Sequence, residues 1–254
     1  MKKVALITGA TSGIGKACAW KFAAAGYAII ATGRRSDRLT ALEQELKKEF
    51  HAEVLTACFD VQDKKAVQTA IDAIPATWKE NIDVLINNAG LALGRDRFHQ
   101  ANMDDWETMI QTNVNGLLYV SRVILPFMIA RNKGHVINIG SIAGKQVYEN
   151  GNVYCATKFA VDAISQSMRI DLLAHHIKVT AIHPGAVETE FSLVRYKGDE
   201  TKASATYEGF QPLTGADVAE TIFYCATLPS HVCINDLVIT CTQQGSATHF
   251  NKNQ

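Results

Sequence analysis

Seven short runs of apolar, largely β-branched residues recur along this chain, at 3–8, 27–32, 53–58, 82–86, 135–139, 178–182 and 237–240. They are nearly continuous instead of alternating, which is the pattern of strands covered on both faces. Between them apolar residues return every three or four positions, predicting helices near 13–25, 36–50, 63–73, 103–130, 152–174 and 215–226. Strands and helices alternating in this way build a parallel sheet with helices on both sides. The expected fold is α/β, a Rossmann-type doubly wound sheet of about seven strands. No repeat, low-complexity tract or Pro/Gly/Ser linker divides the chain, so one domain is expected over 1–254.

Two stretches break the rhythm. From 185 to 215 the periodicity is weak and the chain carries a mixed-charge run, Arg195-Tyr-Lys-Gly-Asp-Glu-Thr-Lys202. An irregular segment of this length in a compact domain reads as a lid or binding loop. The tail from 243 to 254 is polar and is expected to be loose unless a partner subunit orders it.

Composition narrows the function classes. Residues are 47% hydrophobic and 20% charged, with 25 Lys+Arg against 25 Asp+Glu, so nothing favours nucleic acid or another polyanion. The start, Met1-Lys-Lys-Val-Ala-Leu-Ile-Thr8-Gly9, loses its apolar run too soon for a secretion signal. No stretch is read as reaching the roughly 18 to 20 apolar residues of a membrane span, so a cytoplasmic protein is expected. Cys18, Cys58, Cys155, Cys225, Cys233 and Cys241 form no Cys-x-x-Cys pair and are expected reduced and mostly buried. No metal is expected. His175 and His176 are adjacent and point to different helix faces; a helix C-terminus accounts for them better than a shared ion.

The first strand runs into Thr8-Gly9-Ala-Thr-Ser12-Gly13-Ile14-Gly15 and then a helix. Glycines there permit a tight turn and close backbone approach to a pyrophosphate, and the helix N-terminus offers free N–H groups and a positive dipole end. The second strand ends in Arg34-Arg35, where an acid would bond the adenosine ribose and exclude a 2′-phosphate. Arginine accommodates that phosphate, so NADP is expected over NAD; Asp37 reads as part of the next helix.

Tyr154 and Lys158 stand four apart on a predicted helix, a turn from each other, with Ser141 thirteen residues upstream. A free phenol has a pKa of about 10, and a nearby ammonium lowers it. A tuned phenol is what carbonyl reduction needs, because the alkoxide left by hydride delivery must be protonated. The chain therefore reads as a nicotinamide-dependent oxidoreductase.

Taken in order, these residues resemble the short-chain dehydrogenase/reductase family over nearly the whole chain. The match runs through the glycine motif, Asp60-Val61, Asn87-Asn88-Ala-Gly90, Asn113 in Thr112-Asn-Val-Asn-Gly, Ser141, Tyr154, Lys158 and Pro184-Gly185-x-Val187-x-Thr189. The resemblance implies Tyr154 as general acid in reduction and base in oxidation. It implies Lys158 lowering the Tyr154 pKa and bonding the nicotinamide ribose, and Ser141 holding the substrate oxygen. Asn113 would hold a water that links Lys158 to solvent. Gly9, Ser12, Gly13, Ile14, Gly15, Arg34, Arg35, Asp60, Val61, Asn88, Pro184, Gly185, Val187 and Thr189 would complete the cofactor groove, with Asp60 and Val61 at the adenine and Val187 and Thr189 at the carboxamide. The resemblance also implies a homotetramer built on helix pairs.

Further stretches, Asn88–Gly94, Gly134–Gly144, Glu190–Asp199 and Thr227–Asn235, resemble a narrower group, the NADP-dependent 3-hydroxy acid dehydrogenases acting on serine and L-allo-threonine. A small-molecule hydroxy acid with a carboxylate needs a cation or several N–H donors, and Arg195 or Lys197 on the lid is the candidate. Alternative readings are a general carbonyl reductase, a 3-oxoacyl-carrier-protein reductase, or a non-catalytic NADP-binding regulator. The intact Asn113, Ser141, Tyr154 and Lys158 set argues against the last, since a sensor needs no proton-transfer groups.

Overall fold

The computed structural model describes residues 2–252. Its strands are β1 Val4–Ile7, β2 Ala28–Gly33, β3 Val54–Cys58, β4 Ile82–Asn87, β5 Gly134–Ile139, β6 Ile177–Pro184, β7 Val187–Glu188, β8 Leu213–Thr214 and β9 Asp236–Ile239. The helices are α1 Gly13–Ala24, α2 Ser36–Phe50, α3 Lys64–Asp72, α4 Ala76–Lys79, α5 Met103–Ile110, α6 Gly116–Arg131, α7 Asn152–Asp171, α8 Glu190–Arg195, α9 Glu200–Ala205 and α10 Gly215–Thr227. Seven strands form one parallel sheet in the order β3-β2-β1-β4-β5-β6-β9, as the apolar runs predict. The chain leaves β1 for β2 on one side and returns to place β4 on the other. That reversal opens a crevice at the carboxyl ends of β1 and β4, where ligands bind in sheets of this kind.

Alternate residues of the central strands feed opposite cores, whereas the edge strand β9 packs only Leu237 and Ile239 inward and leaves Val238 exposed. In β1, Ala5 and Ile7 face the layer of α1, α2 and α10, while Val4 and Leu6 face that of α3 and α6. Both sets are almost free of solvent, which explains why the run shows no polar alternation.

The long helix expected over 103–130 is interrupted. A π-turn, Gln111–Asn115, joins α5 to α6 and carries Asn113 at its centre; such turns recur at functional sites. By length and composition alone, Met103–Arg131 would pass for a membrane-spanning helix, with mean hydropathy of 1.3 over its best window. This departs from the expectation that no stretch qualifies. Val120, Ile124 and Met128 instead use that apolarity to cover the sheet.

The segment 185–215 is not a bare loop. Thr189 caps α8 by accepting from the Phe191 N–H (3.2 Å), Asp199 caps α9, and β7 pairs with β8 across the base. The tail is ordered through Lys252, contrary to expectation. Gln244 is buried, its Oε1 accepts from the Ala186 N–H (2.8 Å), and Phe250 stacks on Phe210 at 4.5 Å. Its last two residues, 253 and 254, lie outside the described part. Cys18, Cys155, Cys225 and Cys241 are buried, Cys233 is half-buried and Cys58 is exposed.

Candidate active site

A cleft of about 310 Å³ opens at the β1/β4 crevice. It is lined by Gly9, Ser12, Gly13, Ile14, Arg34, Arg35, Asp60, Val61 and Asn88 together with Ser141, Tyr154, Lys158, Pro184, Gly185, Val187 and Thr189. These predicted groups, separated by up to 180 positions in the chain, meet in one place. Gly15, Asn113 and Arg195 are not part of that lining; Arg195 borders a separate small pocket on the other side of Tyr154.

The glycine loop suits a dinucleotide. A Cβ at Gly15 would stand 2.2 Å from the Gly9 carbonyl oxygen and 2.5 Å from Asn88 Nδ2, so α1 packs against the loop only without a side chain there. Gly9 and Gly13 take φ of +66° and +51°, the left-handed region that glycine enters without strain. No side chain caps the first turn of α1, which leaves its N–H groups facing the cleft for an anion. Asn88 braces the loop by donating to the Thr8 (2.9 Å) and Gly9 (3.2 Å) carbonyls.

At the end of β2, Arg35 donates to the Thr11 hydroxyl (2.8 Å) and the Ser12 hydroxyl (2.9 Å) and pairs with Glu190 (3.0 Å). Arg34 pairs with Asp60 (3.3 Å). Arg38, on the first turn of α2, also reaches Glu190 (2.6 Å). Guanidinium groups thus gather where a ribose phosphate would extend from the loop.

At the other end, the i, i+4 spacing places Lys158 Nζ 5.9 Å from the Tyr154 ring centroid, and both side chains are buried. Lys158 donates to the Ile139 carbonyl (2.9 Å); burial pulls its pKa down to about 8. Ser141 lies beside the Tyr154 phenol in the cleft, and its Oγ accepts from the Ala143 N–H (3.1 Å). The balance at Tyr154 runs opposite to the sequence expectation. Burial, and then the neighbouring Tyr148, push its pKa up; the Ser141 hydroxyl and Arg195 pull against them. The physical reason is desolvation, which penalises phenolate more than the nearby cations reward it.

Asn113, on the π-turn, is buried. Its amide donates to the Leu91 carbonyl (2.8 Å) and the Thr157 hydroxyl (3.0 Å), and its Oδ1 accepts from the Leu91 N–H (2.8 Å). The side chain thereby clamps Leu91 beside Lys158.

Arg195 on α8 lies 5.4 Å from the Tyr154 ring and 5.7 Å from the Tyr148 ring. It donates to the Tyr148 hydroxyl (2.9 Å) and the Gly94 carbonyl (3.3 Å). Lys197 turns away and pairs with Asp105 on α5 (2.8 Å), which removes it as a partner for anything bound at Tyr154. Phe191 packs on the Tyr154 ring at 5.7 Å.

The model of the short chain dehydrogenase family matches residues 3–199. The chain belongs to that family. It is an oxidoreductase, as the Ser141, Tyr154 and Lys158 arrangement leads one to expect. It is 50% identical to the NADP-dependent 3-hydroxy acid dehydrogenase YdfG of Salmonella typhi over 233 residues, 91% of this chain and 92% of that one. It is 45% identical over 245 residues to sulfoacetaldehyde reductase 2 of Chromohalobacter salexigens, covering 96% of each. Among solved structures, the closed form of a serine dehydrogenase complexed with NADP⁺ superposes with a TM-score of 0.91 at 46% identity, over 99% of this chain and all of that one.

Sequence reasoning missed Arg38, Glu190, Tyr148 and Phe191. Arg38 stands three residues after Arg35, one helical turn on, and that spacing was a usable signal. Nothing local marked the other three.

Proposed function

We propose that this enzyme is an NADP-dependent 3-hydroxy acid dehydrogenase, interconverting L-allo-threonine, L-serine or a similar acid with its 3-oxo acid or semialdehyde. The observation that carries this reading is one cleft with guanidinium groups at one end and buried Ser141 and Tyr154 at the other, with Arg195 packed 5.4 Å from the Tyr154 ring on the side away from the cleft lining. The names borne by the relatives point the same way.

In this reading the glycine loop and Asn88 hold the pyrophosphate, Arg34 and Arg35, joined by Arg38, the 2′-phosphate, and Asp60 and Val61 the adenine end. When bound, NADP supplies or accepts the hydride at the substrate carbon. Ser141 holds the substrate oxygen. In reduction Tyr154 donates its proton to that oxygen as the C–H bond forms; in oxidation the phenol must first give up its proton, and the phenolate then takes the hydroxyl proton as the C–H bond breaks. A phenol kept protonated by burial suits the donor role. Lys158, easily deprotonated at a pKa of about 8, restores the Tyr154 proton, and Asn113 positions the adjacent backbone. Arg195 takes the substrate carboxylate, and 185–215 acts as the lid over a single catalytic domain. Arg195 would meet a sulfonate equally well, and the reductase relative favours adding sulfoacetaldehyde to the candidates.

A homotetramer is supported by exposed apolar groups on the outer helices. Phe159 and Ile170 of α7, eleven residues apart and so on one face, are both accessible, as are Leu173 and Leu118. The six free cysteines support a reducing, cytoplasmic location.

The test is reduction of NADP⁺, with NAD⁺ as control, on L-allo-threonine, L-serine, 3-hydroxypropionate and a neutral secondary alcohol. Turnover of the acids with NADP⁺ is expected; activity confined to the neutral alcohol would overturn the substrate assignment.

A further inference from the structure

The lid and the arginine cluster are joined by one carboxylate. Glu190 is the first residue of α8, set there by the Thr189 cap. Its Oε2 pairs with Arg35 (3.0 Å) and its Oε1 with Arg38 (2.6 Å). Arg35 meanwhile spends its remaining hydrogen bonds on Thr11 and Ser12 of the glycine loop. Three segments distant in sequence, the loop, the start of α2 and the lid, therefore share one network. Glu190 itself lines the cleft beside Arg34 and Arg35. Partial burial works against its ionisation, yet the hydrogen bonds from Arg38 and Arg35 hold its carboxyl below the usual range, so it is a full negative charge near neutrality.

A carboxylate and a phosphate seek the same N–H donors of a guanidinium. Resting on the NADP assignment above, we propose that Glu190 is a specificity-determining residue that occupies the arginine pair in place of the 2′-phosphate and is displaced by it. NADP, carrying about 1.5 to 2 negative charges on that phosphate, competes for Arg35 and Arg38. NAD has no such group and leaves the Glu190 pairs intact. The next residue, Phe191, rests on Tyr154 at 5.7 Å. Release of Glu190 thus loosens the lid segment that also covers the proton-transfer end, so the phosphate is read at both ends of the cleft.

The experiment is calorimetric titration of wild type and Glu190→Gln with NADP⁺, NAD⁺ and adenosine 2′,5′-bisphosphate, the last carrying the phosphate without nicotinamide. Wild type is expected to bind NADP⁺ more tightly than NAD⁺. Glu190→Gln is expected to bind NADP⁺ and the bisphosphate about three- to tenfold more tightly, as suits loss of two half-exposed competing pairs, with NAD⁺ unchanged. A thermal melt checks that the variant is folded, and Glu190→Ala should repeat the result. Equal affinities in wild type and variant would overturn the role of Glu190 alone. Weaker NADP⁺ binding in the variant would also overturn it, because Glu190 would then be orienting the arginines for the phosphate. A wild type without preference for NADP⁺ would overturn the reading of the arginines and this proposal together.

Discussion

His135, on β5 ahead of Ser141, sits in the sheet with almost no exposure, beside Lys178 in the register of β6. Its Nε2 is 2.7 Å from Thr180 Oγ1, and that hydroxyl already donates to the Ile234 carbonyl (2.7 Å). Nε2 must therefore carry the ring proton. Nδ1 has no partner among the described residues, so a second proton there would be a buried donor with nothing to meet. Burial first, and then the Lys178 ammonium, pull the His135 pKa down to about 3. An unfolded histidine titrates near 6.5. Between these values the native state binds fewer protons than the unfolded chain, so stability is full above about 6.5 and falls as pH drops through the window. The slope is about 1.4 kcal/mol per unit, which amounts to about 2 kcal/mol on going from about pH 8 to about pH 5. The measurement is urea unfolding of wild type and His135→Leu at both pH values and one protomer concentration. Every other titrating group is common to the two proteins, so wild type should lose about 2 kcal/mol more than the variant. Equal losses would show that His135 is protonated in the fold and that the reasoning is wrong.

Tyr154→Phe removes the hydroxyl that donates the proton while keeping the ring that packs on Phe191. Steady-state kinetics should show kcat lower by about 10²–10⁴-fold, with cofactor affinity by calorimetry nearly unchanged. Arg195→Ala should raise KM for hydroxy acids by about tenfold or more and leave a neutral secondary alcohol unaffected; an unchanged kcat/KM on the acids would remove Arg195 from carboxylate binding. Gly15→Ala places a Cβ 2.2 Å from a backbone oxygen that no rotamer can clear. Loss of cofactor binding with a lower Tm is expected, and a variant that still binds NADP⁺ normally would show that the loop moves freely.

Much of this protein follows from local signals. β-branched runs cannot be helices of that length, and their lack of alternation already says that both faces are covered, as Ile7 and Leu6 of β1 show on opposite sides of the sheet. Gly9, Gly13 and Gly15 mark a turn that only glycine can make, and Tyr154 and Lys158 share a helix face by period alone. The tertiary structure decided what depends on distant residues arriving together. The π-turn at Asn113 changes hydrogen bonding without changing the apolar pattern, so 103–130 looks like one helix. Gln244 and Phe250 look like a solvated tail until Ala186 and Phe210 give them partners. The direction in which the Tyr154 pKa moves is a matter of burial, which a motif does not carry. Glu190 and Arg38 are 152 positions apart and individually read as surface charges. Periodicity and turn chemistry act over a few residues and are written in the sequence directly, whereas desolvation and ion pairing depend on which surfaces the folded sheet and lid bring face to face.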